Sequence, residues 1–124
     1  MGNKEQEQAK PATKQPWTVN EDGSVKVPLK RAIETHAGKV DALVIREPSA
    51  ETYFRYGPPF DTLAQMDERD EVVNVRTLVK ADIVAKYLAA CTDHDGEVLG
   101  QMTAFDAARA GNALVSVFFN EAGN

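Results

Sequence analysis

The stretch Leu43-Val44-Ile45-Arg46-Glu47-Pro48-Ser49 constrains this chain more than any other. Pro48 fixes its own φ near −65° and pushes Glu47 towards extended geometry, so a strand can run to Glu47 but a helix cannot. Ser49 then stands where a helix N-cap belongs. Whatever precedes this corner must therefore be extended, and whatever follows it begins as helix.

The period upstream agrees. Val25, Val27, Leu29 and Ile33 share one parity, with Lys26, Pro28, Lys30 and Glu34 on the other, which is the pattern of a strand with one wet face. Pro28 cannot donate to a ladder and predicts an edge strand or a bulge. Thr35 to Lys39 is a short turn containing Gly38, and Val40 to Arg46 is the returning strand, so residues 24–47 read as an antiparallel hairpin. Two strands alone are marginal in water, and their apolar face needs a cover of helices. Upstream, residues 1–17 form a polar tail expected to be disordered, with Trp17 at its end the first side chain able to anchor the chain.

Downstream, residues 49–57 predict a short helix stopped by Gly57-Pro58-Pro59, with Glu51 in its favourable first turn. Residues 58–73 carry Asp61, Asp67, Glu68, Asp70 and Glu71 against Arg69 and read as an acidic connecting segment. Residues 74–120 read as helical. Asn74 is placed to cap a helix whose Val75, Leu78, Val79, Ile83, Tyr87, Leu88 and Cys91 keep three-and-four spacing. Thr92 to Gly96 ends it, Val98, Leu99 and Met102 link, and Thr103 caps a last helix with Asp106 in its first turn. The expected fold class is α+β: an N-terminal antiparallel β-hairpin packed on three to four helices, residues 18–124 making one small domain.

Composition narrows function by exclusion. Fourteen basic against nineteen acidic residues leave a net charge of −5, which disfavours a nucleic-acid or membrane surface held by positive charge. No apolar run suits a membrane span or a signal-peptide core, so a cytoplasmic location is expected. Cys91-x-x-His94 has half of a zinc spacing, but His36 is the sole further histidine or cysteine, and Asp93 to Gly96 lacks the glycine and glutamate positions of a calcium loop. Cys91 lies on the apolar stripe of its helix, where an inert buried thiol is the usual case. Phosphate loops and nucleotide fingerprints are absent. No catalytic residue, cofactor or metal is expected. The basic residues Lys26, Lys30, Arg31, Lys39 and Arg46 gather on the hairpin without interleaved aromatics, as on a solvated face. Val115, Val117, Phe118 and Phe119 crowd the last helix over more than one face, and surplus apolar surface of that kind can mark a partner site.

Taken in order, four motifs resemble the small tail assembly chaperones of Mu-like contractile-tailed phages and prophages. They are Val25-Lys26-Val27-Pro28-Leu29, the Leu43 to Ser49 corner, Val84 to Thr92, and Met102-Thr103-Ala104-Phe105-Asp106, spanning residues 24–119. The family usually carries an acid three residues after the Thr of its corner, where this chain has Thr52, with Glu51 one place early, and residues 60–73 are longer and more acidic than the resemblance leads one to expect. The resemblance implies a non-enzymatic protein of the host cytoplasm that binds the long helical tape-measure protein, and in some settings the tail tube protein, during virion morphogenesis. Tyr53, Leu88, Val115, Phe118 and Phe119 are the candidate partner-binding residues, in grooves between the last two helices. Self-association is a further expectation. The alternative is a structural or adaptor subunit that stays in a tail or another complex and binds through its hairpin edge.

Overall fold

A computed structural model describes residues 16–120; of the tail expected over residues 1–17, residues 1–15 lie outside them. The fold is α+β, with two antiparallel sheets and four helices among the described residues. In chain order these are β1 (Thr18–Val19), β2 (Val25–Thr35), β3 (Gly38–Ile45), α1 (Ala50–Tyr56), β4 (Phe60–Met66), β5 (Val72–Val79), α2 (Ala81–Cys91), α3 (Gly96–Leu99) and α4 (Ala104–Asn120).

The first hairpin is where its period-two pattern put it. Val25, Val27, Leu43 and Ile45 are all fully buried, pair across β2 and β3, and pack against Val84, Tyr87, Leu88, Ala110, Ala113 and Leu114 of α2 and α4. Trp17, expected at the end of the tail, packs against this core. Gly23 closes the turn before β2 at φ 90, and a Cβ there would stand 2.6 Å from the Glu47 carboxylate, so both backbone and space require glycine.

Pro28 does mark a bulge. The register jumps from Pro28 opposite Ala42 to Ile33 opposite Val40, and the surplus residues loop out of the ladder. At the far end of β3, Ser49 caps α1 by accepting the Thr52 amide. The Arg46 amide donates to the Cys91 carbonyl at 2.8 Å, and its guanidinium reaches the Ala90 and Thr92 carbonyls and Asp93. Arg46 thus satisfies the orphan carbonyls at the end of α2 and ties the corner to the helices.

The middle of the chain corrects the sequence reading. Residues 58–73 are not a connecting loop, and the helical part does not begin at Asn74. Phe60–Met66 and Val72–Val79 form a second hairpin, with Asn74 opposite Gln65 in its ladder. The helix begins at Ala81, and its N-cap position, Lys80, supplies no side-chain bond. Asp67 builds the turn of this hairpin: its Oδ1 accepts the Arg69 and Glu71 amides at 2.8 and 2.9 Å, and Asp70 takes φ 64. Asp67 and Asp70 are turn chemistry, and Asp61 lies in the strand, paired with Lys80. The linker at Val98 is itself a helical turn, capped by Asp95.

Candidate protein-binding surfaces

Two helices of unlike composition build the first candidate surface. On α2, Ala81, Val84, Ala85 and Leu88 fall along one face, and on α4 Ala104, Ala107, Ala108, Gly111 and Asn112 do the same. Because most of these side chains are small, the helices leave an apolar groove of about 500 Å³ between them, lined as well by Val79, Leu99 and Met102. Leu88, buried, lines it. Its walls offer no charged group, so it can take an apolar ligand or side chain but supplies nothing for acid–base work.

The second surface is aromatic. Phe118 stacks against Tyr53, Phe60 and Tyr87 at ring separations of 5.6 to 6.1 Å, and Phe119 lies 5.1 Å from Phe60. Tyr87 belongs to the core: its hydroxyl donates to the Gly57 carbonyl at 2.6 Å, and burial raises its pKa. Phe54, Tyr53 and Phe119 stay exposed, Phe54 at 81%.

The candidate residues therefore separate. Tyr53, Phe118 and Phe119 come together in the aromatic cluster, and Leu88 lines the groove. Val115 is buried at 6% exposure and is core, not an anchor. The crowding of large residues at the end of α4 resolves into buried Leu114 and Val115, half-buried Val117 and Phe118, and outward Phe119.

The β4–β5 hairpin is the third surface, in the segment expected to be a loop and the start of a helix. Asp61 to Met66 and all of Val72 to Val79 are exposed. Paired residues share a face, so Thr62, Ala64, Met66, Val72, Val75 and Thr77 line one side and Asp61, Leu63, Gln65, Asn74, Arg76 and Leu78 the other. Among the described residues its base is what is held: Phe60 by the aromatic cluster, Val79 against Gly111 and the groove, and Lys80, whose amide donates to the Pro59 carbonyl. It is an arm.

The polar groups that attract chemical readings are occupied structurally. Asp106, fully buried, accepts the Lys30 amide at 2.8 Å and the Arg31 amide at 3.1 Å, the two amides freed by the bulge after Pro28. Burial raises its pKa, but those amides, Thr103 and the Arg109 charge outweigh it and hold the carboxyl below its ordinary value. Lys30 and Arg109 both lie over the Phe105 ring, at 5.1 and 4.6 Å. Of the other hairpin cations, Lys39 pairs with Glu34 and Arg46 with Asp93. Burial pushes the Cys91 thiol up, against a smaller opposing effect of Arg46, so it is not a thiolate at neutral pH. Among the described residues no cluster of three or more histidine, cysteine, aspartate or glutamate side chains is placed to hold a metal ion, and no helix is long and apolar enough to cross a membrane. In comparisons with known proteins, no family model, no curated protein and no solved structure matches the chain.

Proposed function

We propose that the chain is a tail assembly chaperone of a Mu-like contractile-tailed phage or prophage: a non-enzymatic protein of the host cytoplasm that holds the tape-measure protein soluble until the tail tube forms around it. The observation that carries this reading is the uncharged groove between α2 and α4, whose small walls let a second helix approach closely and whose length follows two helices. A tape-measure protein presents long apolar helical stripes, and one stripe seated on Leu88 between Ala85 and Ala108 would be hidden from its neighbours. The acidic balance of the chain, −5 overall, keeps the loaded complex from aggregating. The ordered likeness over residues 24–119 supplies the identity of the partner.

The test is co-expression with the tape-measure gene of the same phage. The partner should co-purify and gain solubility, and Ala108→Trp or Ala85→Glu, both at exposed positions, should abolish the gain while the fold survives. No gain with the unaltered chain would end the reading.

A subunit that remains in the particle is the second reading, favoured by the open strand edges of the β4–β5 arm, which suit strand addition by a partner. Mass spectrometry of purified particles separates the two, because a chaperone should be missing from them.

A further inference from the structure

We propose that Lys30, Arg31 and Arg109, with the ring of Phe105 between them, form a docking site for an acidic polypeptide segment where the β2 bulge meets the first turns of α4. The chain as a whole is acidic, yet here it gathers cations and leaves them without carboxylates. Lys39, Arg46, Arg55 and Lys80 each have an acidic partner, whereas among the described residues Lys30, Arg31 and Arg109 pair with none. The nearby carboxylate, Asp106, is wholly buried and both its oxygens accept the Lys30 and Arg31 amides, so three positive side chains stand over one negative one. The aromatic that the hairpin lacks in its own sequence is supplied by α4: Phe105 is 51% exposed, with the Lys30 ammonium and the Arg109 guanidinium over its ring.

The site is held in place before a partner arrives. The bulge after Pro28 turns the amides of Lys30 and Arg31 onto Asp106, which fixes the backbone from which both side chains leave. Arg109 donates one N–H to the Pro28 carbonyl at 3.3 Å and packs on Phe105, so its guanidinium is oriented while its other donors remain for a carboxylate. Cations ordered in this way lose less freedom on binding than free surface side chains do.

Charge and geometry together select a short carboxylate-rich segment over a nucleic acid. The Phe105 ring already carries Lys30 and Arg109 over it, which takes the surface on which a base would stack, and a net charge of −5 repels a long polyanion on approach. An acidic segment needs no stacking face; it pairs with the cations and uses the half-exposed ring as apolar contact. On α4, Phe105 and Arg109 each follow by one position the groove residues Ala104 and Ala108, so this site flanks the groove without lining it and does not depend on what the groove binds.

Titration of the isotope-labelled full chain with a capped oligoglutamate peptide, followed by amide NMR at low ionic strength, reads this directly. The expected result is saturable movement of the Lys30, Arg31, Phe105 and Arg109 amides, with the double variant Lys30→Gln, Arg31→Gln raising the dissociation constant by roughly tenfold. Both substituted side chains are exposed and the amides that hold Asp106 are backbone, so the remaining amide spectrum of the variant should keep its dispersion. Arg76→Gln, which removes an exposed cation of β5, should leave the affinity unchanged. Three results would overturn the proposal: no movement of these amides at millimolar peptide, an equal loss from Arg76→Gln, which would reduce the effect to bulk charge, or tighter binding at the same amides by a single-stranded oligonucleotide or by anionic lipid vesicles, which would make that polyanion the ligand.

Discussion

Removing the Asp106 carboxylate should cost this fold more than any other single change to a charged side chain. The carboxylate is wholly buried in the first turn of α4, yet its partners are the backbone amides of Lys30 and Arg31, more than seventy residues away in sequence. Those amides have no ladder partner because the strand is bulged there, so Asp106 is what makes the bulge affordable and what locks β2 to α4. Each bond to a charged acceptor contributes about 1.5 kcal/mol at the low end, suitable here because Lys30 and Arg31 lie near solvent, and the first-turn position adds about 0.5 kcal/mol. Asp106→Ala should therefore destabilise by about 3.5 kcal/mol, and Asp106→Asn, which keeps one acceptor oxygen, by about half as much. Because the folded carboxyl titrates below the unfolded one, its contribution is complete above the ordinary carboxylate range and disappears as pH falls through the folded pKa. Urea unfolding followed by circular dichroism at pH 7 and at pH 3 checks both statements. The gap between the native chain and Asp106→Asn should be wide at pH 7 and should shrink as the pH is lowered. A loss under about 0.5 kcal/mol for Asp106→Ala, or a gap that does not narrow in acid, would refute the argument.

Other sites give sharper contrasts at lower cost. Gly23→Ala should lower stability by more than 1 kcal/mol, since it meets both a positive φ and the Glu47 carboxylate, whereas Gly111→Ala should raise stability by about 0.5–1 kcal/mol, because its Cβ makes ordinary contacts with Val79 and Val84 inside a helix; thermal melts of the pair would show opposite signs. Arg46→Ala should cost about 1 kcal/mol through the carbonyls at the end of α2, while Asp93→Ala, removing a largely exposed partner, should cost less than half of that in the same urea assay. Trp17→Phe should be close to neutral, because the indole N–H is buried without a hydrogen-bond partner and the ring contact is kept; equal chemical midpoints would bear this out.

The elements that the chain announced in advance are those whose chemistry is local. The corner at Glu47-Pro48, the Ser49 and Thr103 caps and the bulge at Pro28 all act within a few residues of the signal, and each stands where expected. Asp106 was legible as a first-turn acid but not as the staple of a distant bulge, since nothing in a sequence reports a bond across so many residues. Of the candidate site, the groove between the last two long helices with Leu88 in it was an expectation that came with the resemblance, while the crowding of large residues at Phe118 and Phe119 lies in the aromatic cluster. Val115 was misassigned because two stripes overlap on one helix and only packing chooses between them.

The arm failed to announce itself for a physical reason. Val75, Leu78 and Val79 have helical spacing, and they join smoothly onto the true helical stripe that starts beyond Lys80. The opposing signal was composition: Val72, Val73, Val75, Thr77 and Val79 are β-branched, and such residues lose side-chain freedom in a helix that they keep in a strand. Ordinarily alternation would decide the matter, but alternation records a strand with one face in a core and one in water. Here neither face of the arm meets the core beyond its base, so apolar residues occupy both parities and the period-two signal is lost. An edge strand that spends its valines on two uncovered faces is costly to keep soluble, and the acidic turn at Asp67 to Glu71 offsets that cost by keeping the tips of free arms apart. The same acids that made the segment read as a solvated loop are thus what allows so apolar a hairpin to project from the fold.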